Sequence, residues 1–460
     1  MKHGILALLL LATAMQLTSC DEDTFSSSPM HQPYFTADTL AFDTLISTIP
    51  SSTKSITLHN PTSEDLLIGR IYLNSGGASG FRINVDGHPG TDFRDIELWA
   101  RDSLYIFVEA SLPETGNALP QPVNDEIIVE TNGVRQILTL HAHAQDAHLW
   151  YGRTLAQDTT LTQGKPWVIY DSLVVAEGVR LTCMPGVRML FHAGSELKVR
   201  GTLRCEGNAR NPIVFRGDRT DRLFSYLPYD RTPGLWQGIR FFSSSMDNLL
   251  DGIDLHSAII GVCGDSAAAT ATPRLLIHNS RIHNSSQTAL FLEGMQAEIT
   301  NSLITNSANN LVYLRNGDYR FTHCSLLNFY AFSARGGSIV LGDASDSLRI
   351  RLINCLLSGK KNTSPQQVIT MEEKGITLTG NEERIRVEHA TSISDRTNYL
   401  NLNKDGDFVY DFRPTTDNLG INTLFTSESQ AAAAALPFDL NGISRVIDEA
   451  PDAGCYEYKE

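Results

Sequence analysis

Charge is scarce in this sequence. Asp, Glu, Lys and Arg make up 19% of its 460 residues, and acids outnumber bases 52 to 37, for a net charge of −15. A nucleic-acid surface needs a basic footprint, so nucleic acid is excluded as a partner. Signatures of catalysis are scarce too. There is no Gly-x-Ser-x-Gly elbow for a serine nucleophile, and none of the 13 His falls in a His-Glu-x-x-His pair. No catalytic residue, metal site or cofactor is expected on that basis. The apolar run from Ile5 to Ala14 is too short to span a bilayer as a helix. Cys is absent between Cys20 and Cys183.

What the chain does have is repetition. Asn279-Ser280 with Asn284, Asn301-Ser302 with Asn306, His323-Cys324 with Asn328, and Asn354-Cys355 with Gly359 follow one frame with an internal offset of five. The copies begin 22, 22 and 31 residues apart (301−279, 323−301, 354−323). A fixed period of this size means one supersecondary unit stacked on itself, with insertions sent to loops. The apolar pieces inside each copy, such as Leu275-Leu276-Ile277 and Leu311-Val312-Tyr313-Leu314, are strand-length and too short for helices. Stacked strands lie ~4.8 Å apart, close enough for Asn side chains at equivalent turns to bond one another. The Asn positions are therefore read as a structural ladder.

This region resembles the right-handed parallel β-helix proteins of the pectate-lyase-like superfold. The resemblance extends upstream through Val175–Val187, Leu197–Gly207 and Asn211-Pro212-Ile213-Val214-Phe215, roughly 200 residues in all. Before it, Thr53–Asn60, Leu66–Leu73, Phe81–Val85, Leu104–Val108, Glu126–Glu130 and Ile137–Ala142 read as short strands, with Asn132-Gly133 as a hairpin turn. About seven strands suit an immunoglobulin-like sandwich. The runs Ile56–Pro61, Asp102–Val108 and Glu130–Gly133 are similar to bacterial relatives of the Hydin-like modules. The inter-sheet disulfide of antibody domains is missing.

The expected class is thus all-β: a right-handed parallel β-helix preceded by an immunoglobulin-like sandwich. Leu17-Thr18-Ser19-Cys20 matches the bacterial lipobox, which implies cleavage after residue 19 and lipidation of Cys20. Asp21-Glu22-Asp23 resembles the acidic export signal of Bacteroidetes-type surface lipoproteins, although the same acids suit a plain solvated tether. The expected division is signal peptide 1–19, acidic tether 20–32, sandwich 33–147, β-helix 148–374, and terminal coils with a C-terminal cap 375–460. Asp452–Tyr458 and Phe438–Arg445 resemble the closing coils of surface β-helix proteins.

Six cysteines follow Cys20: Cys183, Cys205, Cys263, Cys324, Cys355 and Cys455. Cys183 and Cys205 stand one coil apart, and Cys324 and Cys355 replace the Ser of the repeat, which suits apolar fillers of a core ladder. Disulfide pairing stays open in an exported chain.

Function collects on loops of rigid scaffolds. The insertion from Gly217 to Leu235 carries Arg222, Phe224, Tyr226, Tyr229 and Arg231, with Trp236 following. Aromatics beside guanidinium groups suit a glycan ring and its acidic substituents. These six residues are the candidate binding set, for a glycan or a surface protein, with the membrane reached through the lipid. A self-packed loop is the competing reading. A lyase or hydrolase on acidic glycans is the alternative function, with Asp251, Asp254 and Arg281 as the residues that could share a face, and a structural stalk is a further one. The polygalacturonase pattern is missing apart from Asn316-Gly317-Asp318, which reads as a turn.

Overall fold

The computed structural model describes residues 24–224, 226–330, 332, 339–341, 348–358, 367–372, 375–378, 385–387, 390–392, 399–402, 410–414, 427–445 and 451–458. The chain separates into two compact units, one of residues 1–116 with 120–145 and one of 117–119 with 146–460.

The first unit holds two five-stranded sheets. One runs in the order Tyr34–Phe35, Lys54–His59, Ser103–Ala110, Phe81–Val85, His88–Gly90, and the other Thr39–Ile46, Val134–Gln145, Gln121–Thr131, Leu66–Leu73, Asp92–Leu98. Pairing is antiparallel except between Thr39–Ile46 and Val134–Gln145. Leu104, Ile106, Val108 and Ala110 are buried while Tyr105 and Phe107 are exposed, the alternation that a strand with one wet face requires. Both sheets contribute to one apolar cluster, which includes Leu58, Ile83 and Ile106 from the first and Ile68, Val129 and Leu140 from the second. Asn132 and Gly133 both take positive φ (51° and 76°), as a tight hairpin between Gln121–Thr131 and Val134–Gln145 demands.

Among the described residues the second unit is organised by one 25-stranded sheet from His148–Leu155 to Ala390–Ser392, in which nearly every pairing is parallel. Each strand pairs with one a full turn of chain later. The register stacks like on like: Leu161, Cys183, Cys205, Leu250, Ile277, Ile299, Phe321 and Leu352 form one inward column. All are buried. At ~1.5–3 kcal/mol for each large apolar side chain removed from water, such columns account for most of the stabilisation of the stack.

Corners are held by the repeat's polar residues. Asn279, Asn301, His323 and Asn354 all adopt φ between 46° and 50°, which Asn tolerates better than other non-glycine residues. Asn301 Nδ2 donates to Asn279 Oδ1 at 2.8 Å, Asn279 Nδ2 to Asp251 Oδ1 at 2.9 Å, and Asn354 Nδ2 lies 2.9 Å from His323 Nε2. Gly252 holds the equivalent corner one turn earlier with φ 58°, where a Cβ would lie 2.4 Å from the Asn208 nitrogen. The six described cysteines are free thiols, five of them buried.

Candidate functional site

The insertion forms a short hairpin, Arg222–Phe224 against Leu227–Pro228, and then a single 3-10 turn, Tyr229–Arg231. Phe224 and Tyr226 are each 53% exposed, and their rings stack at 5.5 Å and 12°. Arg222 is exposed at the base of the hairpin. Tyr229 instead lies under the Arg219 guanidinium (4.1 Å), which is itself fixed by two bonds to Asp221. Arg231 stands 3.9 Å from the Asp230 carboxylate. Trp236 corrects the sequence reading. It is fully buried, stacks on Phe191 at 4.2 Å, and donates from Nε1 to the His256 carbonyl at 2.9 Å, so it belongs to the core and offers no surface to a ligand.

The insertion meets an outward face of the stack. Along one column Val214, Asp254, Arg281, Leu303, Ser325 and Leu356 pair in succession. Two places on, His256 pairs with His283, and Arg216 stands opposite His256 by continuation of the same register. Side chains two apart on a strand share a face, so Arg216, Asp254, His256, Arg281 and His283 come together. His256 and His283 stack at 4.9 Å and 19°. His283 Nε2 lies 3.0 Å from Asp254 Oδ1. The insertion supplies Asp230, whose Oδ1 is 2.5 Å from Arg216 Nη1 and 3.7 Å from His256 Nε2.

Electrostatics sort these groups. Burial drives the His256 imidazolium out, lowering its pKa to about 4 despite Asp254 and Asp230 beside it. Burial also opposes ionisation of Asp254, yet the His283 hydrogen bond and charge, with His256 and Arg281, hold its carboxyl far below the usual carboxylate range. Burial likewise works against Asp230, and His256, Arg216 and Arg231 outweigh it, so this carboxyl too is lowered. At neutral pH the face therefore presents the neutral His256 imidazole and two carboxylates among the guanidinium groups of Arg216, Arg231 and Arg281. Such a set can accept a proton, hold a cation, or grip an anion through the arginines.

Asp251 and Asp254 do not act together. Gly252 turns the chain between them, and Asp251 lies on Asn248–Asp251, bonded to Asn279, while Asp254 lies on Ile253–His256 beside Arg281. On the far side of Arg281 the C-terminal residues pack lengthwise on the same face. Arg281 Nη2 donates to Asn441 Oδ1 at 3.1 Å, Cys455 N to Ser325 Oγ at 3.0 Å, and Gly454 N to the Asn354 carbonyl at 2.8 Å. Leu303, Leu327, Phe329, Leu356, Phe412, Leu440, Cys455 and Tyr456 make the apolar cluster beneath. Arg445, fully buried, joins Glu457 and bonds Asn301 Oδ1 at 2.6 Å.

An aromatic strip continues toward the start of the stack. Tyr151 and Tyr170 are in register and stacked at 4.7 Å and 12°, Tyr170 meets His192 at 4.7 Å, and His192 Nδ1 lies 2.7 Å from Asp218 Oδ2. Asp218 immediately follows the strand Ile213–Gly217, so the strip abuts the root of the insertion. Sequence reading missed His256, His283 and Asp230. The one available signal was the equal separation of Asp254 from Arg281 and of His256 from His283, 27 residues in each case (281−254, 283−256).

No family model matches the chain, and no curated protein matches it. Among solved structures, a family 123 glycoside hydrolase from Clostridium perfringens, described for glycolipid glycan hydrolysis, aligns at 8% identity with a TM-score of 0.18. The alignment covers 25% of this chain and 26% of that one, and similarity at this level carries no argument about fold or activity.

Proposed function

We propose that this chain is a lipid-anchored bacterial surface protein that binds an acidic glycan without cleaving it. In this reading residues 148–374 are a right-handed parallel β-helix of the pectate-lyase-like kind, 33–147 an immunoglobulin-like spacer, and 375–460 its terminal coils and cap. Residues 24–32 of the tether are described and bond to the first unit, Ser26 N to the Asp65 carbonyl at 2.8 Å and Asn132 Nδ2 to the Ser28 carbonyl at 3.1 Å, whereas Cys20 and Asp21-Glu22-Asp23 lie outside the described residues. Their assignment, with export to the outer face of the outer membrane, rests on the lipobox and the acids that follow it.

The observation that carries the binding reading is the exposed Phe224–Tyr226 stack. Two large rings held parallel in solvent gain little for folding, but they form a platform for the apolar face of a sugar. The strip Tyr151, Tyr170 and His192 lies alongside the insertion's root, and Arg222 adds a cation for a uronate carboxylate. A stalk would have no use for this grouping. Among the described residues, a lyase reading is favoured by the His283–Asp254 pair beside Arg281, which resembles a base next to a carboxylate-neutralising group.

Titration of the purified chain with polygalacturonate and with a neutral glucan tests the proposal. The wild type binds the acidic polymer, and a Phe224→Ala/Tyr226→Ala double variant loses at least about tenfold in affinity, ~1.4 kcal/mol, with an unchanged unfolding midpoint. Equal binding by the two proteins would sink the assignment.

A further inference from the structure

We propose that Asp254, His256 and His283, with Asp230 from the insertion, form a binding site for a divalent cation of the zinc class. One ligand atom from each of Asp254, His256 and His283 lies within 4.8 Å of the others. Donors around a tetrahedral ion with bonds of 2.0–2.1 Å stand ~3.4 Å apart. The His283–Asp254 contact (3.0 Å) and the His256–Asp230 contact (3.7 Å) are already near that spacing.

The hydrogen bonds around His256 point to an electropositive guest. Ser257 Oγ donates its single proton to the Asp230 carbonyl at 3.1 Å and lies 3.2 Å from His256 Nδ1. With the hydroxyl proton placed on that carbonyl, we assign the ring proton to Nδ1, which donates to the same oxygen. His256 Nε2 is thereby left as a bare lone pair, facing Asp230 Oδ1 at a distance beyond hydrogen-bond reach. Asp230 Oδ1 is buried, and its short approach to Arg216 lacks hydrogen-bond alignment. Two lone-pair atoms that converge without a proton between them repel, and a cation between them removes the repulsion. Donation of the second ring nitrogen to a fixed oxygen is also the support that metal-ligating histidines receive.

The donor set selects the ion. Two imidazoles with two carboxylates suit Zn²⁺, Co²⁺ or Ni²⁺, whereas Ca²⁺ and Mg²⁺ favour all-oxygen shells. Because Asp230 belongs to the insertion and the other three to the stack, the ion would clip the arm that carries Phe224 and Tyr226 onto the face. Arg216, Arg231 and Arg281 already more than offset the two carboxylates, so a bound dication leaves the site with surplus positive charge.

The test is zinc titration calorimetry on the chelator-stripped full chain, with metal content measured after dialysis and the visible spectrum of the cobalt form recorded. We expect about one equivalent bound and a spectrum of tetrahedral cobalt. His283→Ala abolishes binding, Asp230→Asn weakens it by at least the roughly 10–100-fold that loss of an outer-shell support costs, and His88→Ala, an exposed imidazole of the other unit, changes nothing. Asp230→Asn alters a single side chain on the insertion and keeps the test decisive should His283→Ala fail to fold. Retention of less than about a tenth of an equivalent by the wild type, or equal affinity in wild type and Asp230→Asn, would overturn the proposal.

Discussion

Acidification should loosen the second unit through His256 before Asp230 or Asp254 takes part, while Glu457, raised by burial to about 7, works in the opposite sense over the same range. The folded protein holds this imidazole at a pKa of about 4, chiefly by burial, against 6.5 for an unhindered histidine. Between those values the unfolded chain binds the proton and the folded one does not, so stability falls as pH drops from 6.5 toward 4. The 2.5-unit gap (6.5−4) corresponds to about 3 kcal/mol in the limit, of which roughly 2 is expressed by pH 5. His278 is also lowered by burial and adds in the same sense. Asp230 and Asp254, both held below their ordinary value of 3.8, act in a separate window: their contribution is lost only as pH falls below that value. Trp236, bonded to the His256 carbonyl, provides a local fluorescence signal. Urea unfolding with chelator present, at pH 7 and pH 5, gives the slope. His256→Gln keeps a polar side chain without the titration and should flatten the slope by roughly 2 kcal/mol. An identical slope in wild type and variant would refute the reasoning.

Three further outcomes follow from buried detail elsewhere. Arg274 is buried and donates to the carbonyls of Phe242, Ser243, Ser245 and Asp265 at 2.9 to 3.3 Å; Arg274→Met leaves these acceptors bare and should cost about 3 kcal/mol or more in urea unfolding, a loss below about 1 contradicting it. Gly252→Ala places a Cβ 2.4 Å from the Asn208 nitrogen at φ 58°, and Gly87→Ala places one in open space at φ 81°; the first should lower the melting temperature far more than the second, although both carry strained backbone. Burial and the neighbouring Cys183 push the Cys205 thiol well up, and Cys263 rises to about 11; a thiol reagent should therefore react slowly with the native protein and reveal free thiols on denaturation, and oxidised pairs would contradict the structure.

The architecture was legible wherever side chains repeat. The Asn279–Asn301 period set the turn spacing, and the described Asn–Asn and Asn–His bonds are the ladder that period implies. Cys183 and Cys205 stack in register as inward fillers, as their separation of one coil suggested. The strands read before residue 147 all appear, because alternation along Leu104–Val108 and the Asn132-Gly133 turn are local signals. The site was less legible. Residues 265–274 lengthen the turn between His256 and His283, so their 27-residue gap does not show the common period of 22. Asp230 reaches the cluster from a non-periodic insertion, where nothing in sequence fixes direction. Trp236 misled for the reverse reason: it follows a loop in sequence but occupies the inward stack on Phe191.

Glycan capture by the Phe224–Tyr226 arm is the property on which the proposed function stands. Its most direct test is a glycan array probed with wild type and the Phe224→Ala/Tyr226→Ala variant, with ultraviolet absorbance followed on each bound polymer. The account predicts binding to uronate-containing glycans by the wild type alone and no rise in absorbance. Equal signals from both proteins, or unsaturated products appearing as absorbance climbs, would contradict it.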